Sequence, residues 1–363
     1  MGLFITRIIF LVFKLLHKKA GEKMDAIKYY LDFESICKNS LLGEMLNVPK
    51  FICGGLLHRM YAMETTKGKY AIKLLNPQIM IRPMAIQNYI NSEKIATLVS
   101  IKVSALPAQK IKGDSIQKIN DQYYLIFDWI EGEKLKDDEI NSVHCEKIGE
   151  TLAEIHKTDF SNLDITGDGL DNDQLIDWNY YLLRGKEEHL EWDELLLKNF
   201  DNLKKWNVAA IESSEILSKS EVISHRDLDP KNVMWNNNKP VLIDWESAGY
   251  INPMQDLIET AIYWSKNEQG ELEKQRFASF ISGYKNKYGE LHANWKIVLA
   301  AGFLGRLGWL EYNLKRSLRI ECSDEEEQKL GTIQVVETIH DINFYADTIL
   351  IVVNWLNYDK EEV

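Results

Sequence analysis

The stretch Ser224-His225-Arg226-Asp227-Leu228-Asp229-Pro230-Lys231-Asn232, followed after a short hairpin by Leu242-Ile243-Asp244-Trp245, most limits what this chain can fold into. Brief β-prone runs at 222–224, 233–235 and 241–243 bracket it, and Asn236-Asn237-Asn238 supplies a turn. A hairpin over 233–243 returns the chain to its start. Asp244, at a strand end, is thereby carried back beside the loop that holds Asp227 and Asn232. Taken singly, Asp227 and Asp229 would pass as turn residues, Pro230 as a loop stiffener and Asp244 as a helix cap. Their joint register, with the hairpin and an apolar-apolar-Asp step, points to a site instead.

The spacing suits phosphoryl transfer, and it fits the kinase catalytic-loop pattern H-R-D-x-x-x-x-N followed by a metal-binding Asp. Asp227 on a tight loop is the expected catalytic residue, accepting a proton from an attacking hydroxyl or orienting it. Asn232 turns back to offer an amide oxygen to Mg2+, and Asp244 shares the metal that bridges the nucleotide phosphates.

These residues give the chain a resemblance to the aminoglycoside phosphotransferase family, related to choline kinases and more distantly to protein kinases. It is carried by 225–235 and by Ile243-Asp244-Trp245-Glu246-Ser247-Ala248-Gly249-Tyr250, with Pro253 and Asp256 close behind, and covers most of the chain after Met24. The resemblance implies an α+β, two-lobed protein-kinase-like fold with a small β-rich N-lobe and a larger, mainly helical C-lobe. It also implies that Asp227 is catalytic, that Asn232 and Asp244 hold Mg2+, that ATP or GTP is the donor, and that Asp256 supports the loop. Helix capping explains Asp256 equally well. Members often carry Gly where Arg226 stands and His where Asp229 stands, departures that bear on subgroup and substrate. By the same resemblance, the backbone of Asp128 and Ile130 meets the adenine base.

Residues 51–63 and 69–75 read as strands around a turn at Thr65-Thr66-Lys67-Gly68, and 86–99 as a helix with Ile86, Ile90 and Leu98 on one face. Tyr70-Ala71-Ile72-Lys73 resembles the kinase strand lysine, a compact positive charge for nucleotide phosphates, and Glu93 is the expected partner that fixes its direction. Gly54-Gly55 lacks the remainder of a phosphate-loop signature and reads as a bend. Another apolar run, 122–129, ends at Glu131-Gly132-Glu133, which suits an exposed connection. The expected organisation is an N-terminal extension over 1–23, a nucleotide-binding lobe over 24–127, a hinge over 128–135 and a catalytic, substrate-binding lobe over 136–363.

A net charge of −12 argues against a chain built to neutralise nucleic-acid phosphates. The four cysteines lie far apart without metal-ligand spacing and read as reduced thiols, which makes the cytoplasm the expected compartment. Residues 3–16 are apolar but interrupted by Arg7 and Lys14 and too short to span a bilayer; membrane-surface contact and a dispensable extension are both open readings for 1–23. Glu246, Glu259, Asp173 and Asp177, with Trp178, Tyr180 or Trp264, are candidate contacts for a cationic acceptor. The leading expectation is an ATP-dependent kinase of a small molecule, an aminoglycoside or another amino-bearing sugar or alcohol, with antibiotic resistance as one biological outcome. A nucleotide-binding module without catalysis and a kinase of another acceptor, such as choline or a protein, are the alternatives. The protein-kinase reading is disfavoured because Trp245-Glu246 follows Asp244 and no A-P-E segment closes an activation loop.

Overall fold

The computed structural model describes residue 29 and residues 32–52, 57–165 and 175–358. Gly54-Gly55, Cys53, Asp173 and the 1–23 extension lie outside the described residues. Strands β1 (Lys50–Ile52), β2 (Arg59–Thr65), β3 (Gly68–Leu74), β4 (Gln117–Ile119) and β5 (Gln122–Asp128) form an antiparallel sheet in the order β1-β2-β3-β5-β4. The run expected as one strand over 51–63 is therefore divided between β1 and β2. The turn is where the sequence placed it, with Thr65 paired to Gly68.

Alternation along β3 decides which side chains reach the cleft. Ile72 and Leu74 are fully buried with Met63, Tyr124 and Ile126, under Ile36 of α1 (Phe33–Asn39). Lys73 therefore faces the opposite side. There Leu125 and Leu75 pack against Ala85 and Tyr89 of α3 (Ala85–Val99), which follows the single turn α2 (Pro77–Met80). The stripe expected on α3 is corrected: Ile86 and Ile90 are exposed, while Tyr89, Ser92, Glu93, Ile95 and Ala96 are buried. The helix turns a partly polar face inward because that face meets Glu246 of the Asp244 segment through Tyr89 and the Ala108 backbone through Glu93, as well as apolar core.

The second lobe contains α4 (Ser142–His156), α5 (Trp178–Glu187), α6 (Asp193–Leu217), α7 (Pro253–Ser265), α8 (Lys274–Tyr288), α9 (Trp295–Ala301), α10 (Phe303–Ser317) and α11 (Glu325–Tyr358). Set among them are strands β6 (Val222–Ser224), β7 (Val233–Asn236), β8 (Lys239–Leu242) and β9 (Gly249–Ile251). One large apolar cluster joins these helices, with Trp192, Trp264, Phe280 and Leu310 fully buried. Helices α4 and α8 approach closely because both carry glycine at the crossing. A Cβ on Gly149 would lie 2.2 Å from Phe280 O, and one on Gly283 2.1 Å from Glu146 O.

The lobes are joined at the hairpin β7-β8. Trp235 N donates to Glu133 O at 2.8 Å and Glu133 N to Trp235 O at 3.0 Å, just past the first lobe's last strand. Gly132 is needed there: its φ is +157°, and a Cβ would sit 2.8 Å from Trp235 O. On the other side, Leu242 N donates to Ser104 O at 2.8 Å and Leu106 N to Leu242 O at 2.9 Å. The hairpin that separates Asn232 from Asp244 is thus gripped on one strand by the segment leaving the sheet lobe and on the other by the connection between α3 and β4.

Candidate active site

The loop after β6 is hung from the helical lobe by buried hydrogen bonds. Ser224 Oγ donates to Asp256 Oδ2 at 2.5 Å, and His156 Nε2 lies 2.9 Å from the same oxygen. Tyr284 Oη is 2.8 Å from His156 Nδ1, and Trp264 Nε1 donates to Leu228 O at 2.9 Å. Asp256 therefore acts through Ser224. The cap of α7 is Asn252, whose side chain accepts from Met254 N and Gln255 N.

Within the loop, fully buried His225 links its two halves. Its Nδ1 accepts from Asp227 N at 3.3 Å, which leaves Nε2–H to donate to Ile243 O at 3.0 Å, next to Asp244. Trp245 packs on the ring at 4.5 Å. Arg226 and Asp244 both adopt left-handed backbone, φ +64° and +62°. That conformation favours glycine, which has no Cβ to clash there. Asp229 caps the following turn through Lys231 N at 2.8 Å, and its Oδ2 pairs with Lys231 Nζ at 2.7 Å.

Asn232 Nδ2 donates to Asp227 O and to Asp227 Oδ2, both at 2.8 Å. The amide nitrogen is thereby used, and Oδ1 is the group left for a hard cation. Burial, helped by the neighbouring carboxylates of Asp229 and Asp244, pushes the Asp227 carboxyl up to about 7 against the pull of Lys231. Among the described residues no group of three or more His, Cys, Asp or Glu could hold a metal by itself. One carboxylate and one amide oxygen fit Mg2+, which commonly takes one or two carboxylates and completes its shell with phosphate and water.

Lys73 faces this loop from β3. Its Nζ lies 2.6 Å from Asp244 Oδ1 and also hydrogen-bonds Glu246 Oε2. Burial alone would lower its pKa, but the two carboxylates raise it well above the ordinary lysine value. Glu246 is held in turn by His58, with Nε2 at 3.1 Å, and by Tyr89, whose Oη donates at 3.3 Å. Lys73 and His58 hold its carboxyl well below the usual range despite burial. The expected direct pairing of Glu93 with Lys73 is not made. Glu93 Oε2 accepts from Ala108 N at 2.6 Å, and burial pushes its carboxyl up to about 7 against that bond and the Lys73 charge.

The remaining candidates separate by location. Asp128 ends β5, with its exposed carboxylate accepting from Gln109 Nε2 at 2.6 Å; Ile130 lies in the following extended connection. Trp178 and Trp264 are buried and offer no face to a ligand. Asp177 caps α5 through Tyr180 N at 3.1 Å. Glu246 serves Lys73. Glu259 is half-buried on α7, one turn before Tyr263; it accepts from Gln255 at 3.0 Å, and burial raises its carboxyl against the charge of Arg306. His58, the role of Glu246, and the Ser224 and His156 contacts through which Asp256 holds the loop escape sequence reading, since single polar residues on scattered elements leave no periodic signal.

The family model described as the phosphotransferase enzyme family matches residues 49–293 of the 363. Comparison with curated proteins gives no match. Among solved structures, the chain is similar to a spectinomycin phosphotransferase in complex with ADP and spectinomycin, at 13% identity over 86% of this chain and 97% of that one, TM-score 0.60. It is similar to an amicoumacin kinase bound to AMP-PNP, Ca2+ and its ligand, at 12% identity over 86% and 93%, TM-score 0.59. A Plasmodium vivax ethanolamine kinase aligns at 15% identity over 90% and 94%, TM-score 0.56. These likenesses show the two-lobed kinase-like fold. With the family model spanning both the lysine strand and the Asp227–Asp244 hairpin, this chain belongs to the phosphotransferase enzyme family.

Proposed function

We propose that the protein transfers the γ-phosphoryl group of ATP, with Mg2+, to a hydroxyl of a small amino-bearing molecule. The observation that carries this reading is the convergence of Asp227, Asn232, Asp244 and Lys73 in one hydrogen-bonded cluster between the lobes. Asp227 orients the acceptor hydroxyl and takes its proton. Asn232 Oδ1 and the Asp244 carboxylate would hold the cation, which supplies charge neutralisation on the β- and γ-phosphates. Lys73 adds positive charge on the opposite side of the phosphates, and the backbone at Asp128 and Ile130 receives the base. Lys231 stands 3.4 Å from Asp227 Oδ1, where it can offset charge on the transferring group.

An amino-bearing acceptor is supported by the half-buried Glu259 carboxylate on the helix whose Asp256 anchors the loop, and by the names of the similar structures, which include an ethanolamine kinase. The test is an acceptor screen with ATP and GTP as donors, read by mass spectrometry for a product carrying one added phosphoryl group. An amine-bearing alcohol or sugar phosphorylated by wild type and not by Asp227→Ala supports the reading. Nucleotide binding with no acceptor-stimulated turnover across the panel favours a non-catalytic module.

A further inference from the structure

Lys73 is only 6% exposed, and a buried ammonium needs anionic partners that stay in place. The two carboxylates that meet it differ in how they are held. Asp244 has a half-exposed side chain on a left-handed loop residue, and in the proposed reaction its oxygens turn to the cation. Glu246 is gripped from behind. His58 Nδ1 accepts from Asn76 N at 2.9 Å, which leaves the ring proton on Nε2, 2.6 Å from Tyr89 Oη and 3.1 Å from Glu246 Oε2. Tyr89 Oη in turn donates to Glu246 at 3.3 Å. Both His58 and Tyr89 are buried, and they reach Glu246 from the segment before β2 and from α3. Glu93 is committed elsewhere, with Oε2 on Ala108 N at 2.6 Å.

We infer that Glu246, held by His58 and Tyr89, is the positioning residue that keeps Lys73 aimed at the nucleotide phosphates when Asp244 turns to the metal, and that Glu93 instead brackets the backbone at Ala108. The lysine's carboxylate partner is thus supplied by the Asp244 segment and not by the helix. Lys73 and the Asp244 segment then shift as one unit, since Glu246 lies two residues beyond Asp244. The nature of the ligand that Lys73 meets rests on the phosphotransferase reading; the Lys73–Glu246 pair does not.

The test compares full-length wild type with Lys73→Met, Glu246→Gln, K73M/E246Q and Glu93→Gln by titration with MgATP and with adenosine, and by thermal unfolding. Glu246→Gln should weaken MgATP binding about tenfold or more, while adenosine affinity moves by less than about twofold, because only the phosphates meet Lys73. Glu93→Gln keeps an acceptor for Ala108 N–H and should hold MgATP affinity within about threefold. K73M/E246Q should bind MgATP no more weakly than Lys73→Met, because both changes break one interaction. In thermal unfolding, Glu246→Gln should lower the midpoint and adding Lys73→Met should recover part of the loss, since the under-partnered buried ammonium is gone.

Additive losses of MgATP affinity in the double variant, or a tenfold loss confined to Glu93→Gln, would overturn the assignment. Thermal coupling between the two substitutions, together with no MgATP binding by wild type, would overturn the phosphotransferase reading and with it the positioning role, leaving the pair structural. Should Glu246→Gln not fold, Glu93→Gln decides: retained MgATP affinity supports the inference, and a loss of about tenfold overturns it.

Discussion

Replacing Asp256 by alanine probes the support of the Asp227 loop without touching any group proposed to meet substrate. In the folded protein Asp256 Oδ2 takes hydrogen bonds from Ser224 Oγ at 2.5 Å and His156 Nε2 at 2.9 Å, with His156 fully buried in its side chain and Ser224 0% exposed. Hydrogen bonds to a charged acceptor contribute about 1.5–3 kcal/mol each, so the pair amounts to about 3–6 kcal/mol. The alanine leaves the Ser224 hydroxyl hydrogen without its acceptor, while His156 Nε2 still has Ser224 Oγ 3.1 Å away as a partner, so the loss stays within that range. With an unfolding entropy of about 2.1 cal/mol/K per residue, cooperative unfolding of the chain converts this to a Tm drop of about 4–8 °C. Differential scanning fluorimetry reads the shift, and steady-state kinetics reads its consequence. Because Ser224 immediately precedes His225 and Asp227, kcat should fall while MgATP affinity changes little. A Tm within about 1 °C of wild type together with unchanged kcat would refute the argument that Asp256 suspends the loop.

Asp227→Ala should lower turnover by about 10²–10⁴-fold while nucleotide affinity, measured by titration calorimetry, stays within about threefold. Asp227 must be ionised to accept a proton, and its carboxyl stands at about 7 in the absence of ligand. A pH profile of kcat/KM should therefore fall toward acid through that value; Lys231→Met, which removes a cation 3.4 Å away, should move the midpoint upward by at least about 1 unit, the lower bound set by the dielectric of water. A profile flat between pH 5 and 8 would remove Asp227 from the base role. Gly283→Ala forces a Cβ to within 2.1 Å of Glu146 O and should destabilise the protein by about 1–3 kcal/mol or more, seen as a lower midpoint in urea. An unchanged midpoint would mean that α4 and α8 can separate at little cost.

The parts that sequence reading found share a local signature. The hairpin, the 65–68 turn, the α3 boundaries and the Asp227–Asn232–Asp244 spacing all follow from residues a few positions apart, where turn chemistry and periodicity act directly. Lys73 is legible because Tyr70-Ala71-Ile72-Lys73 follows a Gly-containing turn and precedes a helix, the setting of the kinase strand lysine that it resembles. Glu93 was misassigned for the opposite reason: which of two nearby carboxylates meets an ammonium depends on the position of Ala108 N and on His58, far away in the chain. Trp264 and Trp178 looked like ligand faces because aromatic type alone does not distinguish a cleft from a core. Among the described residues no helix is long and apolar enough to cross a membrane, and the 1–23 extension with its proposed membrane contact lies outside them.

The central claim is spatial, and a crystal structure with Mg2+ and a non-hydrolysable ATP analogue tests it most directly. The account predicts Asn232 Oδ1 and an Asp244 oxygen about 2.0–2.1 Å from the cation, Lys73 Nζ on a phosphate oxygen, and Asp227 facing the γ-phosphate from the acceptor side. A nucleotide seated between the lobes whose metal is bound by other residues, or one bound away from this cluster, would contradict it.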